Sequence, residues 1–475
     1  MKKQISKLLA LSCLLTAFPF SACSANNNGF NDRNANVLRV ASWDEYIDMG
    51  GSLYQENDED IQAFNEWYFE LTSIDLTKSK PLYEEFEDWY YQQTGEKITV
   101  EYVALQDNET MYNKIKMGDR YDLLCPSEYM MMKLVEENLI QKFPESFFDK
   151  TQETNYYAQN VSPYIQRVFE SGQLKNNETW SDYIAGYMWG STGFVFNPEK
   201  VDRNIMKSWN ALKSKQCARK ITAKDNVRDS YFMGLGLYYE NELLALKEDL
   251  KSGIVSRETY SSILSEKMND TSVETMNKVK KHLEEMRGNL YGLETDEGKM
   301  DVIRGRLDAS YQWSGDAVYI LDQAEAYSED EDSPLLLEYS IPESASNLWF
   351  DGWVLMNDKD VNINAATAFV NFLSLPQNVI RNMYYIGYTS CIGGNDVLEY
   401  VSEMYGATED EEDTVSYDLS YFFGENTVLT TYEDQTRRQL FAQYPDTNTI
   451  DRLVVMKYFD KKTNERANRM WNNIK

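Results

Sequence analysis

The sequence predicts a mixed α/β fold, on two observations. Between residues 37 and 138 short apolar strand-like runs alternate with amphipathic helical stretches. The chain is also long, 475 residues with 42% hydrophobic content, which suffices to bury two or three domain cores. Residues 37–41 read as a short buried strand. Residues 82–93 read as a helix with Leu82, Phe86 and Trp89 on one face, and 98–103 as a strand that Thr94-Gly95 closes off beforehand. Residues 109–117 return to helix, Gly118-Asp119 stops it, 121–125 form a strand and 128–138 a helix. This order calls for a mostly parallel sheet with helices on both faces, and such sheets present ligands at the carboxyl ends of their strands. The segments that start at Ser42 and Ser127 are therefore the first places to look for function. Further strands are expected at 193–196, 307–312 and 353–356. Helices are expected at 273–286 and at 363–373, where Ala366, Phe369, Val370 and Leu373 share a face.

Charge and composition narrow the function. With 77 acidic against 47 basic side chains the formal net charge is −30, which makes nucleic acid and anionic membrane surfaces poor partners. The single histidine, His282, sits in a polar helical stretch, so His-based triads, multi-histidine zinc sites and His acid–base catalysis are not expected. At the N-terminus Lys2, Lys3 and Lys7 precede an apolar run, 8–20, that is too short to span a bilayer. Ser21-Ala22-Cys23 and a polar, Asn-rich stretch follow. This pattern resembles a bacterial lipoprotein signal, which implies that residues 1–22 are removed, Cys23 is acylated and 23–36 form a tether to a membrane anchor. Phe20 departs from the aliphatic residue commoner at that place. The scattered Cys125, Cys217 and Cys391 match no metal motif and read as small core residues.

Trp43-Asp44-Glu45-Tyr46 directly follows the first strand. Two exposed aromatics beside two carboxylates suit an organic cation, because the π-faces attract it and the carboxylates pair with it; a plain structural turn is the alternative. Pro126-Ser127-Glu128-Tyr129 follows the third strand and should open on the same side of the sheet, although a helix N-cap accounts for Ser127 without any ligand. Three later segments repeat the combination of acid and aromatic or turn: Asp225 to Asp229, Tyr311 to Asp316, and Leu348 to Trp353. Each alone has a structural reading, as core Trp or capping Asp.

Taken in order, Trp43 to Tyr46, Asn108 to Lys114, Tyr121 to Tyr129, Leu139 to Lys142, Trp189 to Gly193, Ser208-Trp209, Asp225 to Asp229, Trp313 to Gly315, Trp349 to Asp351, Asn371 to Leu373 and Ile386 to Tyr388 resemble the polyamine-binding proteins of bacterial ABC transporters. The resemblance covers about two thirds of the chain after the signal. It implies a two-lobed periplasmic-binding-protein-like fold of type II, each lobe a mixed mostly parallel sheet flanked by helices. The expected lobes are 37–186 plus 351–391, and 187–350 plus 392–475. By position it implies an aromatic box of Trp43, Tyr46, Tyr129, Trp313, Trp349 and Tyr388. Asp229 and Asp351 would meet a terminal amine and Glu45 the other end, with Ser127 and Thr295 as hydroxyl contacts. Asn226, Glu128 and Asp316 depart from the pattern; Asp316 and Asp44, if they face the ligand, would bind an additional amine or shift the preferred ligand length. Residues 49–80, 241–270 and 393–435 look inserted and are expected as surface additions, with a covering loop or a docking surface as the sharper alternative.

The expectation is a lipid-anchored extracytoplasmic protein that encloses putrescine or spermidine and delivers it to a permease powered by an ATPase. It needs no cofactor and no metal, has no nucleic-acid partner and transforms nothing chemically. The alternatives are the same scaffold used as a sensor or adhesin, and a carboxylate-dependent glycoside hydrolase, for which no acid and nucleophile pair is assignable.

Overall fold

The computed structural model describes residues 36–172, 174, 178–294, 298–326, 334–408 and 411–475. The expected signal, Cys23 and the tether up to residue 35 lie outside the described residues, as does Thr295. The chain divides into two compact units. The first reaches to Tyr187 and adds Asp351–Ile386 and Ser390–Val397; the second comprises Met188–Phe350, Gly387–Thr389 and Leu398–Lys475.

The sheet of the first unit begins with β1 (Val37–Trp43), β2 (Thr99–Leu105), β3 (Leu123–Leu124) and β4 (Ile140–Gln141). β1 runs parallel to β2 over its whole length, from Val37 opposite Thr99 to Trp43 opposite Leu105, and parallel to β3 on its other side. Residues 351–356 join antiparallel, with Val354 opposite Leu124 and Leu355 opposite both Leu123 and Gln141. β1 extends two residues beyond its expected end, so Trp43 is its last member rather than part of the following turn. The helix Leu82–Thr94 buries Leu82, Phe86 and Tyr90, and the Phe86 ring meets Phe369 edge-on at 5.0 Å on the helix Ile363–Leu373.

Segment 49–80 is not a surface addition. Its helix Glu59–Thr72, capped by the Asp58 side chain, lays Phe64 face to face on Tyr384 with ring centroids 3.5 Å apart, and it buries Tyr68. The segment is pinned by Arg381, which is fully buried. Arg381 Nη2 donates to Asp48 Oδ1 at 2.8 Å and to the Lys80 carbonyl at 3.2 Å, while Nη1 donates to Glu85 Oε2 at 2.8 Å. The Tyr54 hydroxyl donates to the other Asp48 oxygen.

The second unit is built on β5 (Ala185–Phe196), which starts in the first unit, then β6 (Ile221–Lys224), β7 (Gly292–Glu294), β8 (Ala309–Trp313), β9 (Glu338–Ser340) and β10 (Ser346–Met356), which ends in the first unit. β8 pairs antiparallel with β5, Thr192 opposite Trp313, and parallel with β6; β6 pairs parallel with β7, and β9 runs antiparallel along β5. The principal core lies under the helix Val227–Lys251, where Tyr231, Phe232, Leu235 and Leu243 pack with Trp209, Val279 and Leu283. That helix was not foreseen as a single element: it is buried around much of its circumference in its first half, so no apolar stripe marks it.

The other two segments taken for surface additions also carry core. Leu243, Leu246, Tyr260, Leu264 and Met268 from 241–270 belong to the principal cluster, and Phe422 from 393–435 stacks on Trp189 at 5.4 Å. Cys125, Cys217 and Cys391 are buried free thiols, as expected. Replacing Arg381 by Met would strand the buried Asp48 carboxylate without its cation. Stability should fall by about 3–5 kcal/mol, read as an earlier urea midpoint, because breaking one half of a buried pair leaves the other charge desolvated.

Candidate ligand site

In the first unit the site grows from Asp351, the residue at which the chain re-enters that unit. Asp351 is buried, and its bridge to Ser127 fixes where the carboxylate lies against the end of β3. Tyr46 Oη donates to Asp351 Oδ2 at 2.7 Å, and the Ser127 hydroxyl and the Trp43 indole donate to the same carboxylate. Burial pushes the Asp351 carboxyl above its ordinary range, and these three hydrogen bonds oppose that shift without cancelling it. Among the described residues no Lys or Arg forms an ion pair with it. Ser127 does stand at a helix N-cap, yet its side chain caps nothing. Instead Ser127 Oγ accepts from Asn108 Nδ2 at 3.0 Å, while its backbone N–H donates to Asn108 Oδ1, and so the hydroxyl is aimed by Asn108.

Tyr46 departs from the expected exposed wall. It is buried because its hydroxyl serves Asp351, its ring packs edge-on against Tyr187 at 5.5 Å, and its carbonyl accepts from Tyr187 Oη. Asp44 and Glu45 are exposed in the turn that follows β1, where Glu45 takes a positive φ of 52°. Tyr129 is half-buried on the helix Glu128–Glu136, and its hydroxyl reaches Glu109 at 3.2 Å. Of the unit's seven predicted site residues, Trp43, Tyr46, Ser127 and Asp351 converge in one hydrogen-bonded group.

In the second unit Trp313 ends β8 and the helix Ser314–Ala326 begins at the next residue. The Trp313 indole donates to Asp229, which sits in the first turn of the helix Val227–Lys251. Asn226 caps that helix by accepting from the Asp229 N–H, and its side-chain amide donates to the Asp229 carboxylate. Burial raises the Asp229 pKa, opposed by the Asn226 hydrogen bond and the nearby Lys224 and Arg228 charges. Trp349 is held through its indole N–H, 3.0 Å from the Ser191 carbonyl, and packs on Tyr388 at 5.4 Å. Tyr388 in turn lies so close to Gly315 that any β-carbon there would fall 1.9 Å from its ring. Only glycine fits at that position.

Asp316 is engaged from within. Its Oδ1 accepts from Lys299 Nζ at 2.7 Å and from Tyr388 Oη at 3.2 Å, and its Oδ2 from Lys224 Nζ at 3.2 Å. These two ammonium groups hold the Asp316 carboxyl below its ordinary range despite burial. Lys224, Lys299 and the buried Glu294 were not foreseen as part of the site. The available signal was position: Lys224 ends β6, immediately before the Asp225 to Asp229 run, and Glu294 ends the neighbouring parallel strand β7.

The mixed α/β units have the fold of two-domain periplasmic binding proteins. The family model for bacterial extracellular solute-binding proteins matches residues 82–394, and the chain belongs to that family. It is 26% identical over 345 residues to a spermidine/putrescine-binding periplasmic protein of Salmonella typhimurium, covering 72% of this chain and 80% of the relative. It is 25% identical over 391 residues to the Escherichia coli protein of the same description, covering 82% and 84%. Among solved structures it is similar to a spermidine/putrescine ABC transporter substrate-binding protein from Streptococcus pneumoniae, with TM-score 0.57, 23% identity and coverage of 92% of this chain and 98% of that one.

The raised Asp351 pKa has a signed consequence for a cationic ligand. An ammonium against Asp351 favours the carboxylate, so binding lowers its pKa and releases a proton. Affinity should therefore weaken as pH falls through the raised value. Calorimetry in two buffers of different ionisation enthalpy reads the release directly in mildly acidic solution, and Asp351→Asn should abolish it.

Proposed function

We propose that this chain is a lipid-anchored extracytoplasmic solute-binding protein that captures a polyamine, putrescine or spermidine, and delivers it to the permease of an ABC transporter. The observation that carries the reading is Asp351: a buried carboxylate ringed by Trp43, Tyr46 and Ser127, with hydrogen bonds but no ion-pairing cation among the described residues. An alkyl diammonium has the matching chemistry, since its methylenes bury on aromatic faces while each charged end needs a carboxylate once it leaves water. Asp229 beside Trp313 supplies the same pairing in the second unit. The printed descriptions of the relatives support the same ligand class. Nothing in this role requires a chemical step.

Calorimetry with putrescine, spermidine and cadaverine tests the reading. Asp351→Asn should weaken binding by about 2–5 kcal/mol, and Trp43→Ala by roughly 0.5–2 kcal/mol through the lost cation–π face. A wild-type protein indifferent to all three amines, or unchanged binding in both variants, overturns it. For the anchor, Cys23→Ala should move the chain from the membrane fraction to the soluble extracytoplasmic one.

A further inference from the structure

The lysine at the end of β6 occupies the chemistry that a ligand would use. Lys224 Nζ lies 4.3 Å from the centroid of the Trp313 ring and 3.2 Å from Asp316 Oδ2, with only 1% of its side chain exposed. A cation stacked on an indole and paired with a buried carboxylate is the arrangement that would receive an ammonium group from solution. Here the chain supplies the ammonium itself. Lys299 takes the other Asp316 oxygen together with the Tyr388 hydroxyl, so both oxygens are committed. Glu294, buried beside this group, accepts from Gln312 Nε2 at 2.8 Å and feels the Lys224 charge. Both lysines thus answer one carboxylate, Asp316. Among the described residues neither Glu294 nor Asp229 has a contact-range ion pair; Glu294 lies beside the Lys224 charge, and Asp229 lies beside the Trp313 indole.

Resting on the polyamine reading, we propose that Lys224 is a specificity-determining residue: its tethered ammonium fills one face of Trp313 and one side of Asp316, so the second unit engages a single ligand ammonium, through Asp229, and the protein favours a diamine over a triamine. A further ammonium brought to Asp316 would meet Lys224 and Lys299 instead of a free carboxylate. It would have to displace a buried, paired lysine to reach Asp316, and such a displacement leaves a desolvated charge behind. Discrimination then comes from a repulsive element placed where the longer ligand would extend.

The test is calorimetry of the full chain with putrescine and with spermidine, comparing wild type, Lys224→Met and Lys224→Arg. Wild type should bind putrescine more tightly than spermidine. Lys224→Met, which keeps the stem and removes the charge, should improve spermidine binding about tenfold relative to putrescine. Lys224→Arg, which keeps a cation over the ring, should retain the wild-type preference. Should Lys224→Met fail to fold, Lys224→Gln keeps a donor for Asp316 and carries the same expectation. Wild type that binds both amines with a ratio insensitive to all these substitutions overturns the role of Lys224 and leaves the polyamine reading standing. Wild type that prefers spermidine also overturns it. Wild type that binds neither amine overturns the polyamine reading and this inference with it.

Discussion

A carboxylate taken out of water must be answered, and how each one is answered sorts this molecule into frame and site. Asp48 is answered by Arg381 at 2.8 Å, with both side chains fully buried. Asp316 is answered by two lysines. Asp351 and Asp229 are answered by hydrogen-bond donors, Tyr46, Ser127 and Trp43 for the first and Asn226 and Trp313 for the second, and their pKa values rise. Hydrogen bonds hold a carboxylate in place without neutralising it. The first two groups therefore need nothing from solution, whereas the last two gain by receiving a cation. The distinction is one of energy: residues of the same type, buried to similar degrees, differ in what remains to be paired.

The frame also explains why the site stays put. Trp43 closes β1, Tyr46 follows within three residues, and Asp48 ties the end of that turn to Arg381. The turn between them is thus clamped at both ends, by seven registered pairs of β1 with β2 on one side and a buried ion pair on the other. Asn108 performs a comparable service for Ser127, freeing the N-cap hydroxyl from its ordinary partner and turning it to Asp351. Preorganisation of this kind lowers the ordering cost of binding, since the donors already point at the carboxylate before a ligand arrives.

Much of the fold was legible because its first unit obeys local rules. The strand at 37–41, the helix at 82–93 and the helix at 363–373 each announce themselves by period and by flanking punctuation, and each is present to within two residues, Ile363–Leu373 without change. The second unit was harder. Its long helix, Val227–Lys251, is buried on several sides at once, so the stripe that betrays a surface helix is missing. The three extra segments have no place in the family pattern, yet they have one in the core, where Phe64, Tyr260 and Phe422 each fill a position. At the site, position after a strand marked Trp43 and Ser127, whereas Asp351 was marked by the run of acid and aromatic at 348–353 and by the family resemblance. For Lys224 the sequence offers only its place before the Asp225 to Asp229 run; its nearness to Trp313 and Asp316 comes from the pairing of β6 with β8.

The net charge of −30 has a smaller part in this than its size suggests. Exposed acids act on a cation through solvent, where the Debye length is about 8 Å at physiological ionic strength, so their pull is shared among many carboxylates and screened by salt. It speeds encounter and distinguishes cations from anions, but it has no means of measuring the length of an amine or counting its charges. Such measurement needs fixed groups whose charge is only partly screened. Asp351 and Asp229 are of that kind, and so are Lys224 and Lys299. A strongly acidic chain that buries a lysine among its aromatic rings has placed positive charge where attraction alone would argue against it. The burial of that lysine beside Trp313 is accordingly a feature of selection rather than of capture.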